Sequence, residues 1–197
     1  MSLNVAFRVD ASSQIGTGHI MRCLTLADAL KEYGTRIRFV SRDLPAHLRE
    51  MLAAKGMEFM SLESGSNPTA VDGLAHSHWL GTCQAHDAQA TIQALGGESW
   101  DWLIVDHYAL DARWESALRP ITQKIMAIDD LADRRHDCDV LLDQNYYRNQ
   151  ELRYCGLLPP QCTTLLGTSF LLLRSGGSGL AWLSITTGGF AFGIGSD

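Results

Sequence analysis

The sequence predicts an α/β fold, a parallel sheet flanked by helices. Short apolar runs of strand length alternate along the chain with windows that repeat at the helical period. The first three runs stand in βαβαβ order, which demands parallel strands joined by crossover helices. Three later runs deliver a carboxylate at their C-terminal ends, Asp106, Asp129 and Asp143, the side on which open parallel sheets bind ligands.

Residues 4–9 read as the first buried strand. Ile20, Cys23, Leu24, Ala27 and Leu30 then recur on one face of a helix that should stop at Gly34. Residues 36–41 form the second strand, Pro45 starts a helix reaching Ala54, and 57–62 form the third strand after Gly56. The turn-rich stretch from Ser64 to Asp72 is a loop, and Leu80 to Leu95 is one helical window ended by Gly96 and Gly97. Residues 102–105, 124–128 and 140–142 are the remaining strands. Trp100, Trp102 and Trp114 are read as core or edge packing.

The chain has 197 residues, 46% of them hydrophobic, enough for one sizeable core. Its net charge of −6 argues against a nucleic-acid partner, which would need a basic face. Five cysteines (23, 83, 138, 155 and 162) are widely spaced, with no CxxC pair and no secretory signal ahead of them, which reads as reduced thiols in the cytoplasm. No apolar run is long enough to span a bilayer.

The most informative stretch is VAFRVDASSQIGTGHIMR, residues 5–22, which runs from a strand through a glycine-bracketed loop into a helix. Gly16 and Gly18 flank Thr17 and permit a close backbone approach to a ligand. The free N–H groups of a helix start favour a diphosphate, and His19 adds an imidazole for proton chemistry beside it. The pattern is neither the dinucleotide fingerprint nor the lysine-bearing P-loop. Asp10, His19, Asp106, His107, Asp129 and Asp130 are expected to face one crevice at the strand ends. In IVDHY, Asp106, His107 and Tyr108 offer an acceptor, an imidazole and a phenol. They could equally cap and pack a turn. Asp129 and Asp130, adjacent carboxylates, can repel each other and raise one pKa. Asn145 and Tyr146 suit sugar hydroxyls, whereas His47, His76, His78 and His86 read as ordinary surface or loop residues. A metal set of Asp106, His107, Asp129, Asp130, His136, Asp137 and Asp139 has suitable residue types, but its histidine spacing matches no recognised site.

Read together, GTGHIMR, IVDHY, IDD and DVLLDQN, with LLGTSFLLLR beyond them, resemble the N-terminal half of the UDP-2,4-diacetamido-2,4,6-trideoxy-β-L-altropyranose hydrolases of pseudaminic acid biosynthesis. The resemblance covers residues 4–174. It implies the N-terminal, Rossmann-like domain of a GT-B-like two-domain architecture, and hydrolytic release of UDP from a nucleotide-linked sugar. His19 would be the general base that activates water, with Asp10 behind it and Tyr108 a partner to sugar or water. Gly16, Thr17, Gly18, Arg22, Asp106, His107, Asp129, Asp130 and Asn145 would line the substrate, and neither cofactor nor metal is implied. A GT-B glycosyltransferase domain and a non-catalytic nucleotide-sugar-binding remnant are the competing readings.

Residues 175–197 depart from this pattern, with 7 glycines in 23 positions and one charged side chain, Asp197. No regular element is expected there. The segment reads as a non-native end of a truncated or frame-shifted chain, or as a natural glycine-rich linker. The family's second domain, which would carry most uridine and diphosphate contacts, is missing from this reading, so weak or absent turnover is expected.

Overall fold

A computed structural model describes residues 2–63 and 72–172, together with the backbone of 181–186 and 189–194. Seven parallel strands form one sheet, β1 (Asn4–Val9), β2 (Arg36–Ser41), β3 (Glu58–Ser61), β4 (Trp100–Asp106), β5 (Thr122–Ile128), β6 (Val140–Asp143) and β7 (Thr163–Leu166), in the order β3-β2-β1-β4-β5-β6-β7. This is the Rossmann-like α/β arrangement: the first three strands wind outward from β1, and the chain then crosses to β4 and winds the other way.

Near-continuous apolar strands are what a sheet buried on both faces requires. Val5, Phe7 and Val9 turn to one face and pack with Ile20, Leu24 and Leu30 of α1 (Gly18–Lys31) and Leu48 and Leu52 of α2 (Ala46–Ala54). Phe7 and Phe39, in register on β1 and β2, stack with centroids 4.7 Å apart. Ala6 faces the other side, where Leu103 and Val105 meet Ala88 and Leu95 of α3 (Gln84–Leu95) and Trp114 and Leu118 of α4 (Ala112–Leu118). Trp100, Trp102 and Trp114 are fully buried, as their core reading required.

Several elements differ from expectation. Pro45 is the residue before α2 rather than its first, since its ψ of 146° is extended. The window from Leu80 to Leu95 is broken by Gly81, whose φ of +67° separates a 3-10 turn (Ser77–Leu80) from α3. Helix α4 escaped the periodicity reading because it is only seven residues long, although Asp111 caps it by accepting from the Arg113 N–H at 2.9 Å. β7 is four residues of TTLL, too short to show a pattern, and α5 (Gln150–Arg153) is a single turn. Except for Asp72, the predicted 64–72 loop lies outside the described residues. The 175–197 segment does hold regular backbone: β8 (Ala181–Thr186) pairs antiparallel with β9 (Gly189–Ile194). The alternation in WLSIT and FAFGI supplies strand character that the glycine count obscured.

Candidate active site

The strand order reverses between β1 and β4, and the chain leaving them goes to α1 on one face of the sheet and α4 on the other. Divergence at that point opens a crevice above the strand ends. After β1 the backbone closes a small loop, in which the Gly16 N–H donates to the Ser12 carbonyl at 2.8 Å and Ser12 Oγ accepts from Gln14 and Ile15. Gly16, at φ +78°, takes a conformation that side chains disfavour. Gly16, Thr17 and Gly18 are exposed, and no side chain caps α1 or places an acid in its first turn. The helix start therefore presents unpaired N–H groups and a positive dipole end to the crevice.

His19 lies in that first turn and is buried except for a sliver. Its Nδ1 is 2.5 Å from Asp106 Oδ1, a carboxylate oxygen that can only accept, so Nδ1 is the nitrogen held by the aspartate and Nε2 is the other ring nitrogen. Nε2 has no hydrogen-bond partner among the described residues and is not sealed from solvent. Arg22 follows at i+3, on the same helix face. Its Nε and Nη2 donate to the two oxygens of Asp106 at 2.5 and 2.6 Å, a bidentate pair. Burial works to raise the Asp106 pKa, but the charge and hydrogen bonds of Arg22, then those of His19, overcome it and hold the carboxyl far below its usual range. Asp106 is a fixed anion behind the histidine.

Tyr108 stands at 78° to the His19 ring with centroids 4.6 Å apart, and its hydroxyl donates to Asp130 Oδ1. Burial, and next the bond to Asp130, push the phenol above its ordinary pKa, so it remains a proton donor. Asp130 also accepts from Asn145 Nδ2 at 3.1 Å and Arg22 Nη1 at 3.4 Å. Tyr108, Arg22, Asp130 and Asn145 thus form one polar wall beside His19. Tyr146 is 75% exposed, at the rim.

Three predicted site residues lie elsewhere. Asp10 does not sit behind His19; it is ion-paired to Arg8 at 2.7 Å and accepts from Ser41 Oγ and the Arg42 N–H at 2.9 and 2.7 Å. His107 turns the same way: its Nδ1 accepts from the Ala109 N–H, and its Nε2 faces Asp10 Oδ2 at 3.2 Å. Both are buried, and they tie the ends of β1, β2 and β4 together rather than lining the crevice. Asp129 points into the core. It accepts from the Ala132 N–H at 2.9 Å and lies 2.8 Å from Arg134 Nη1, an ion pair off the hydrogen-bonding axis. Burial would raise its pKa, but His136, Arg134 and Ala132 bring it below the usual range, the reverse of the raised acid expected for a repelling pair.

The seven residues of the metal reading do not converge. Asp137 and Asp139 pair with Arg119 before the start of β6, at the opposite end of the sheet, and His136 binds Glu115. Among the described residues no group of three or more ligand-type side chains could hold a metal ion. The role of Asp106 behind His19 was missed because it depends on β4 lying beside β1. His76 and Trp79, read as unremarkable or not at all, pack against Tyr108 with centroids 5.6 and 5.7 Å from its ring.

No protein-family model matches the chain. The chain is similar to the UDP-2,4-diacetamido-2,4,6-trideoxy-β-L-altropyranose hydrolase of Campylobacter jejuni subsp. jejuni serotype O:2, at 30% identity over 173 residues, 87% of this chain and 52% of that protein. That relative bears the name of the family whose motifs the sequence resembles, and the chain spans about half its length. Among solved structures, MurG of Acinetobacter baumannii aligns with 84% of this chain and 45% of its own, at 9% identity and a TM-score of 0.46. Among the described residues no helix is long and apolar enough to cross a membrane.

Proposed function

We propose that this chain carries the catalytic-base half of a hydrolase that releases UDP from a UDP-linked 2,4-diacetamido-2,4,6-trideoxy hexose, in the cytoplasmic biosynthesis of pseudaminic acid. The observation that carries the reading is the Asp106–His19 pair, with Nδ1 held by a fixed carboxylate and Nε2 left to the crevice. A water beside Nε2 loses its proton to the imidazole as its oxygen bonds to the anomeric carbon. The bond from that carbon to the phosphate oxygen breaks with its electron pair going to UDP. Asp106 then faces an imidazolium, which it stabilises, while Arg22 keeps the carboxylate oriented. The unpaired N–H groups at the start of α1, from Gly18 onward, suit the negative charge growing on the diphosphate, with the exposed Gly16 and Thr17 leaving room for it. Tyr108, Asp130 and Asn145 offer the sugar a donor, an acceptor and an amide. Uridine and the remaining phosphate contacts belong, on this reading, to a second domain of a GT-B-like pair.

UDP release by the chain and by its His19→Gln variant tests the base. The expected loss is about a hundred- to ten-thousandfold, and equal release by both proteins would overturn it. Free sugar as product supports hydrolysis, whereas a new glycosidic bond identifies a transferase. In a chain without turnover, the His19 ring resonances are expected to move when millimolar UDP-sugar is added; unmoved resonances argue for an inert remnant.

A further inference from the structure

We propose that Trp79 and His76, packed against Tyr108, form the platform for the methyl-bearing side of the sugar and select a diacetamido, 6-deoxy hexose over a more hydroxylated one. The inference rests on the nucleotide-sugar reading above and specifies how that site would discriminate.

The two residues reach the crevice on a device unrelated to the glycine loop. The 3-10 turn Ser77–Leu80 is pinned by Leu80, fully buried in the α3–α4 side of the core, and Gly81 at φ +67° then swings the chain into α3. This leaves Trp79 nearly parallel to Tyr108, at 29°, with 5.7 Å between centroids, and His76 4.4 Å from Trp79. The His19 ring stands at 80° to Trp79 and 78° to Tyr108. Together they make a corner in which an aromatic floor meets the imidazole.

Trp79 differs from the core tryptophans of the same domain. Trp100 and Trp114 are fully buried and donate their indole N–H groups to the Leu95 carbonyl and to Asp87. Trp79 is only half-buried, and its indole N–H has no hydrogen-bond partner among the described residues. An indole kept partly in solvent beside a polar wall is suited to receive a ligand with both apolar and hydrogen-bonding groups. The sugar in question carries two acetamido methyls and a C6 methyl, whose burial against aromatic carbon is favourable, while each acetamido oxygen can accept from an N–H. A hydroxyl in place of any of these groups would lose that burial and find on the aromatic floor little beyond the one indole N–H to pair with.

Calorimetric titration of the chain with UDP-linked 2,4-diacetamido-2,4,6-trideoxy hexose, UDP-N-acetylglucosamine and UDP tests this. Trp79→Ala is expected to weaken the first ligand about tenfold and leave UDP within about twofold, with Trp79→Phe intermediate. His76→Ala, at the outer side of the cluster, should weaken the first ligand about threefold. Should Trp79→Ala fold poorly by circular dichroism, Trp79→Phe and His76→Ala carry the test. If the native chain binds and none of the variants changes its preference for the diacetamido sugar, the platform is overturned while the hydrolase reading stands. If the native chain binds none of the three ligands, the nucleotide-sugar reading falls and the platform falls with it.

Discussion

Arg8, Asp10 and Asp87 form one buried ionic cluster under the ends of β1 and β2, and Asp106, Arg22 and His19 form another between β4 and α1. In the first, Arg8 spans both carboxylates with four hydrogen bonds of 2.7 to 3.0 Å, and Trp114 Nε1 and Arg42 complete Asp87. Arg8, Asp10 and Asp87 are each at most 1% exposed. In the second, the same kind of arginine–aspartate fork ends on a histidine with one nitrogen still open to the crevice. Both set an arginine against a fully buried aspartate. What separates a brace from a candidate catalytic centre is whether a polar atom stays open to the crevice, rather than sealed in the core, once the internal bonds are made.

The sharpest way to break this comparison is to remove the keystone of the closed cluster. Arg8→Met leaves Asp10 and Asp87 as buried charges without their main partner, and should cost about 3–5 kcal/mol in chemical denaturation. A loss below about 1 kcal/mol would show that the cluster is not a brace. The open cluster should behave in the opposite way: His19→Gln is expected to change stability by less than about 1 kcal/mol while reducing UDP release about a hundred- to ten-thousandfold.

A third cluster extends the closed class. His136 Nδ1 is 2.8 Å from Glu115 Oε1, and its Nε2 is 3.8 Å from Asp129. Burial opposes the imidazolium, but Glu115 and Asp129 outweigh it and raise the pKa from 6.5 to about 9. Because the folded value is the higher, the stabilisation is complete below the unfolded pKa and disappears as pH climbs through the folded one. The free energy of unfolding should therefore fall between pH 6.5 and about 9, by up to about 3 kcal/mol, and His136→Gln should flatten that part of the profile. The smallest effect is expected at Tyr108→Phe. Asp130 keeps Arg22 and Asn145, so the lost hydroxyl should cost about 1 kcal/mol of stability and about tenfold in UDP release.

Much of the fold was legible because its signals are local. β1 and β2 carry their apolar runs within six residues each, and Gly34 and Gly56 take positive φ where the chain must turn. The start of α1 was legible for the same reason, since a glycine bracket and a first-turn histidine are neighbours in sequence. Arg22 shares the helix face of His19 by spacing alone. Short elements escaped: seven residues of α4 and four of β7 hold too few turns or pleats to show a period. The alternation in β8 and β9 was masked by glycine.

From the order of residues alone came the parallel α/β arrangement, the loop that frees amides at the head of α1, and the position of His19 among them. Only the tertiary structure decided which aspartate serves that histidine. Asp10, nine positions before it, turns to Arg8, and Asp106, 87 positions after it, supplies the contact. It also decided that Trp79 and His76 close over Tyr108. Helical period and turn chemistry are written in neighbouring residues. Strand order and side-chain direction at a strand end are settled by packing between segments far apart in the chain.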